Sequence, residues 1–274
     1  MNIRNILLLA TVAVATSACN DIAEDERYIP IESVDAKRAV LIEDFTGQNC
    51  VNCPDAHATI EALVEQYGDA VIAVSIHAGA FGIPATNTRY TGLMQPEGDT
   101  YNNAWGITSW PMGVVNRVGG ATEHTAWATA VRTALETPTP LEIEMTATCP
   151  EGNSDIAIDI TCSQTEDING YLQVWIIENG IVARQESATE GRINNYVHNN
   201  VYRASTNGVG GEPVALKAMI HQSFTYTQAL RATDTETWVP ENLQVVAFVY
   251  NSAGVVQAAR TDVITNTNTN QNQD

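Results

Sequence analysis

The chain has 274 residues, with 13 basic against 32 acidic side chains and a formal net charge of −19. So acidic a surface, with no basic stripe, repels a phosphate backbone and excludes nucleic acid as a partner. The length suits two domains or one large one, and the apolar content of 44% is enough for ordinary cores.

Residues 1–18 read as an export signal of lipoprotein type. Arg4 leads, and Ile6 to Ala15 form an apolar run shorter than the roughly 20 residues a spanning helix needs. Thr16, Ser17 and Ala18 then precede Cys19. Small residues before a cysteine have the pattern of a bacterial lipobox and predict lipid on Cys19. The alternative is ordinary cleavage after Ala15 or Ala18, which leaves Cys19 as an exposed reactive thiol. The remaining cysteines are Cys50, Cys53, Cys149 and Cys162, an even number in an exported chain where disulfides persist. Residues 19–36 are acidic and polar and read as a tether.

From Ala39 the pattern becomes globular. Residues 39–45 are a buried strand by composition, and a C-x-x-C, Cys50-Val51-Asn52-Cys53, follows. Ile60, Leu63, Val64 and Tyr67 recur at helical spacing, and Gly68 ends that helix. Residues 70–79 predict a second strand, so strand, helix and strand make a parallel βαβ unit. Residues 80–104 are a Gly/Pro/Asn-rich excursion with a short helix expected near Arg89 to Met94. Residues 113–120 predict a strand and turn, and Thr125 to Glu136 a helix with Trp127, Ala130, Val131 and Leu135 inward.

Residues 137–140, Thr-Pro-Thr-Pro, mark a boundary. Beyond it the apolar period is two. Residues 141–149 and 155–162 alternate, 171–185 read as a hairpin around Glu178 to Gly180, 213–226 as one strand, and 243–259 as a hairpin turning at Asn251 to Gly254. Short strands with turn signals between them predict an antiparallel sandwich over 138–264. Residues 265–274 are low in complexity and read as a disordered tail.

A C-x-x-C opening a helix suits redox chemistry, because the helix N-terminus favours a thiolate. Cys50 is then the exposed nucleophile and Cys53 the resolving thiol one turn on. A structural disulfide and a metal half-site are the competing readings. Zinc normally asks for four ligands, and there is no second C-x-x-C, so no metal and no cofactor is expected. His57 shares a helix face with Cys53 and reads as a solvated helix residue, with tuning of the site as the alternative. His77 closes the second strand and reads as a satisfied loop histidine. His198 and Arg203 read as structural or surface positions. Cys149 and Cys162 share an inward phase, but a turn at Glu151 to Ser154 sets them at opposite ends of a hairpin. Bridging needs Cα atoms within about 7 Å, so that disulfide is left open against two buried thiols.

Asp44-Phe45 ahead of Cys50-Val51-Asn52-Cys53 resembles the thioredoxin active-site strand and helix. Residues 105–120, with Trp105, Gly106, Ile107 and Pro111, resemble the thioredoxin stretch that holds the cis-proline. The resemblance implies a thioredoxin-like α/β domain over 37–137, ahead of the all-β immunoglobulin-like sandwich read from the strand pattern of 138–264. It implies a catalytic set of Cys50, Cys53, Asp44 and Pro111, with Asp44 assisting proton transfer; Trp110, just before Pro111, reads equally as stacking on a substrate or as a packing residue. At whole-chain scale the sequence resembles a family of Bacteroidetes outer-membrane lipoproteins, the outer membrane protein twenty-eight family. The resemblance lies in the signal with Cys19, the Asp44 to Pro54 block, residues 196–203 and residues 238–251. It implies a lipid-anchored protein of the outer membrane, facing the periplasm or the surface. Asp21, Glu24, Asp25 and Glu26 are similar to surface-export tethers of these bacteria. Two functions are expected from this. One is thiol–disulfide exchange with a thiol- or disulfide-bearing envelope protein. The other is non-enzymatic binding or adhesion with a structural Cys50–Cys53 disulfide. Exposure of Cys50 discriminates between them.

Overall fold

The computed structural model describes residues 38–265, so the signal, Cys19, the tether and residues 266–274 lie outside it. The first strand, β1 (Val40–Thr46), is buried along its whole length. It pairs in parallel with β2 (Val71–His77) and antiparallel with β3 (Met112–Val115). Between β1 and β2 runs α1 (Cys53–Tyr67). Pro54 stands in its first turn, where a missing N–H costs nothing, and Gly68 follows at φ 57°. Two shorter helices follow, α2 (Pro96–Ala104) and α3 (Trp127–Leu135).

Period-two alternation gives each face of β1 and β2 a separate partner. Val40, Ile42, Val71 and Ala73 pack against Ala56, Ile60 and Leu63 of α1 and Trp127, Val131 and Leu135 of α3. Leu41, Phe45, Ile72, Val74 and Ile76 pack the other way, onto Trp175, Tyr202 and Phe248. Those aromatics come from the second half of the chain. Its strands are β4 (Leu141–Thr148), β5 (Asp155–Gln164), β6 (Ile168–Glu178), β7 (Ile181–Ser187), β8 (Gly191–His198), β9 (Val201–Ser205), β10 (Glu212–Leu216), β11 (Gln222–Ala229), β12 (Leu243–Asn251) and β13 (Gly254–Ile264).

The expected α/β thioredoxin-like domain followed by an immunoglobulin-like sandwich is not what forms. The chain is mostly β, and strands from both halves belong to one mixed eleven-stranded sheet, ordered β11-β5-β4-β13-β12-β6-β9-β2-β1-β3 with β10 on β6. The joint is β9, which lies parallel to β2 where Ser75 meets Val201, and the Ser75 N–H donates to the Asn200 carbonyl at 2.7 Å. An open parallel edge is a template for another strand, and here the chain's own β9 takes it. The sheet then doubles back. Trp175 and Ile177 of β6 face β1 and β2, while Val174 and Ile176 face a further core with Ile156, Ile158 and Ile160 of β5.

Three local expectations also change. Residues 171–185 are not a hairpin: β6 pairs with β12, β9 and β10, and β7 pairs with β8 in a separate two-stranded sheet. Residues 213–226 are two strands, β10 and β11, on different partners. The helix of the excursion starts after Met94, at Pro96, where proline and the acidic Glu97 and Asp99 suit a first turn. The hairpins β4–β5 and β12–β13 form over the alternating stretches.

Candidate functional site

Asp44 sits in the middle of β1, opposite Ser75 on one side and Gly113 on the other. Its phase points it, with Thr46, Ser75 and His77, to the face that α1 covers. It is fully buried; the Ser75 hydroxyl donates to its Oδ2 at 3.1 Å, and its Oδ1 has no partner. Burial without a countercharge in contact pushes this carboxyl up to about 7, and the Ser75 bond only partly offsets that.

The C-x-x-C leaves the end of β1. Cys53 is the first residue of α1, and Cys50 lies in the loop before it; the two are joined by a disulfide. Pro111 follows Trp110 through a cis peptide and directly precedes β3. Because Met112 pairs with Phe45, Pro111 lies beside the end of β1 from which the cysteine loop departs. The Trp110 ring meets Phe81 edge-on at 5.4 Å, and its Nε1 is buried without a partner. It also lies so close over Gly79, at φ +64°, that a Cβ there would collide with the indole.

The Cys50 reading changes most. Cys50 is 3% exposed and Cys53 0%. Two segments cover them. The Asn49 N–H donates to the Phe81 carbonyl at 3.0 Å, which brings the excursion over the loop. From the other side β7 docks like an added strand. The Glu186 N–H donates to the Gln48 carbonyl and the Ala188 N–H to the Val51 carbonyl, both at 2.9 Å. The Gln185 side-chain amide, itself fully buried, donates to the carbonyls of Cys50 at 2.9 Å and Gly47 at 3.3 Å. Arg184 reaches the Asn49 side chain at 2.8 Å. Buried Gln48 knits both covers together, donating to the Thr91 and Arg184 carbonyls and accepting from the Leu93 N–H.

Behind the disulfide the histidines gather. His57 is not a solvated helix residue: its side chain is 13% exposed. Its Nε2 is hydrogen-bonded with Thr46 Oγ1 at 3.1 Å, and its Nδ1 with the Tyr196 hydroxyl at 2.9 Å. That Nε2 also lies 3.7 Å from Asp44. His198, at the end of β8, has its ring 5.4 Å from His77 and 6.5 Å from His57. His77 and His198 are each 2% exposed, and no nitrogen of either ring has a hydrogen-bond partner of normal geometry. These rings, with Ser75 and Tyr196, line a cavity of about 30 Å³. Burial holds His57 down to about 4 and His198 to about 3, and His77 well below its ordinary value, with the neighbouring rings adding to the effect. Among the described residues no group of three His, Cys, Asp or Glu side chains is arranged to hold a metal ion.

Arg203 is buried too. It ion-pairs with Glu178 at 3.1 Å and Glu236 at 2.9 Å, beneath the Trp238 ring. Cys149 and Cys162 are free, buried thiols. Ile143 pairs with Cys162 and Thr148 with Ala157, so the two cysteines sit at opposite ends of the β4–β5 hairpin. Burial pushes the Cys162 thiol up to about 11. Gln48 and Gln185 were not legible as site residues, since an uncharged amide in a strand or turn carries no motif. Residues 196–203 stood out only through resemblance, and they supply Tyr196, His198 and Arg203.

A disulfide at the end of a buried strand, closed over by a loop and by a hairpin from the far half of the chain, defines a β-rich protein with an internal rather than an open disulfide site. The profile of the family described as Outer membrane protein Omp28 matches residues 98–267. The chain therefore belongs to the Omp28 family of outer membrane proteins. Among solved structures it is similar to HBP35 of Porphyromonas gingivalis, at 17% identity over 87% of this chain and 80% of that one, with a TM-score of 0.65. It also matches a domain of the outer membrane lipoprotein Omp28 from Porphyromonas gingivalis, at 18% identity over 48% of this chain and 93% of that one (TM-score 0.34). A third match is protein AGR_C_4864 from Agrobacterium tumefaciens, at 14% identity over 85% and 97% of the two chains (TM-score 0.49). At such identities the first of these speaks for the fold alone. No curated protein sequence matches the chain. No helix among the described residues is long and apolar enough to cross a membrane.

Proposed function

We propose that this is a lipid-anchored outer-membrane protein, held through Cys19, that works by binding rather than by thiol exchange, with Cys50–Cys53 as an internal staple. The observation that carries the reading is the 3% exposure of Cys50 beneath β7. An exchanging cysteine must present its sulfur in line to an incoming thiolate, and access governs that rate. The cover here is not a side chain that swings aside. It is a strand-like pairing of residues 184–188 with residues 47–51, reinforced by Gln185, and it closes the loop from across the chain. The staple's role follows from its position. It ties the entry of α1 to the loop that both covers grip. The exchange reading draws support from Asp44 and from Pro111 beside the loop, and it names a thiol- or disulfide-bearing envelope protein as partner.

One experiment separates the two. The full-length chain in detergent is equilibrated at pH 7 in graded dithiothreitol buffers, and Cys50 and Cys53 are quantified by peptide mapping after alkylation. The binding reading expects a potential below about −300 mV and a Cys50 that resists alkylation without denaturant. A potential between about −120 and −270 mV, with rapid alkylation of Cys50, overturns it in favour of exchange. Labelling with a palmitate analogue, lost in Cys19→Ala, tests the anchor.

A further inference from the structure

We propose that the β7–β8 hairpin is a pH-released cap, held over the disulfide at neutral pH and freed when His57, His77 and His198 take up protons. This rests on the reading above in one respect only, that the hairpin is what covers Cys50. It does not depend on whether the disulfide exchanges.

The geometry is that of an interface with histidines on both sides. His198 belongs to the hairpin, and His57 and His77 belong to α1 and β2 beneath it, with ring separations of 5.4 and 6.5 Å. Both nitrogens of His57 are already engaged by Thr46 and Tyr196, and Tyr196 is itself a hairpin residue. Protonating the cluster puts like charges a few ångströms apart around a partly open cavity of about 30 Å³. Such charges are relieved by separating the two sides and admitting water.

Backbone at Ser75 favours a charged His77 and backbone at Arg184 a charged His198, but burial outweighs both. From β9, Arg203 adds further positive charge; Glu178 is paired with it, and Glu236 is shared between it and Arg231. From α1, Glu61 lines the cavity from an exposed position. Tyr196 stays neutral, pushed up to about 12 by burial. Arg184 of β7 is paired with Glu186 and turned to Asn49. Among the described residues Asp44 of β1 is the buried carboxyl that faces His57, and below pH 7 it is largely protonated and supplies no countercharge.

The direction follows from linkage. Each histidine is neutral in the closed form and has an ordinary value near 6.5 when solvated, so the open form binds more protons as pH falls below 6.5. From pH 7 to 5.5 this favours opening by about 8-fold per histidine, or several-hundred-fold for three. Asp44 acts in the opposite sense. If it too becomes solvated on opening, its raised closed-state value takes back about 16-fold, leaving a net gain of roughly 30- to 40-fold.

The test is hydrogen exchange by mass spectrometry on the full-length chain between pH 7.5 and 5, expressed as protection factors so that intrinsic exchange rates cancel. Protection of peptides from residues 181–198 is expected to fall at least 30-fold between pH 7 and 5.5, while β12 and β13 keep theirs. In His198→Gln the fall shrinks by about 8-fold, and in the His57→Gln, His77→Gln, His198→Gln triple variant it disappears. Equal protection at both pH values overturns the proposal. So does a fall shared by the whole chain, or one that His198→Gln leaves unchanged. Alkylation of Cys50 at pH 7 reports separately on the function proposed above.

Discussion

Asp44→Asn tests the electrostatics of the buried strand most directly. The wild-type carboxyl is held near 7 in the folded chain against 3.8 when solvated. Between those values the folded state keeps a proton that the unfolded state has lost. This group therefore contributes stability that is greatest below about pH 4 and is lost as pH rises to about 7. Each tenfold change in the proton-binding ratio is worth about 1.4 kcal/mol, so the loss between pH 5 and pH 8 is about 2.5 kcal/mol. Asparagine has nearly the same shape and keeps an acceptor for the Ser75 hydroxyl, but it does not titrate. Its second amide group lacks a partner at a cost of about 1–3 kcal/mol, and that cost is the same at both pH values. Urea unfolding of both proteins at pH 5 and pH 8, extrapolated linearly, should show Asp44→Asn gaining about 2.5 kcal/mol on the wild type between the two. A difference below about 0.5 kcal/mol, or one of opposite sign, would mean that Asp44 is not the buried, uncompensated acid described.

Gln185→Ala removes the amide that caps the Cys50 and Gly47 carbonyls. Each carbonyl keeps one backbone donor, Gly47 the Cys50 N–H and Cys50 the Cys53 N–H, so the loss is of two hydrogen bonds at about 0.5–1.5 kcal/mol each, which should speed native-state reduction of Cys50–Cys53 by about fivefold or more at pH 7; an unchanged rate would show that β7 does not guard the disulfide. Arg203→Met leaves buried Glu178 without a countercharge and Glu236 with Arg231 alone, and is expected to cost about 3–5 kcal/mol. Adding Glu178→Gln and Glu236→Gln to it should recover most of that loss, and thermal unfolding of the three proteins checks both statements.

Much of the local structure was written in the residues. Period-two alternation marked β4, β5, β12 and β13, helical spacing and Gly68 bounded α1, and apolar composition put Asp44 and His77 in strands. The C-x-x-C and its disulfide were legible because spacing alone brings Cys50 and Cys53 within one turn. Pairing across the chain was not. An apolar strand such as β1 announces that both faces are covered without saying by what. Whether Trp175 and Phe248 pack among themselves or cover β1 and β2 depends on where the sheet folds back, and so the expected thioredoxin-like and immunoglobulin-like folds gave way to one mixed sheet. Likewise the exposure of Cys50 is a property of residues 184–188, more than a hundred positions away, and His57 reads as a surface residue until β8 is laid over it. Sequence patterns report which groups seek burial, because that preference is local; which surface meets them is settled only by the global packing in which every strand edge and apolar face finds a partner.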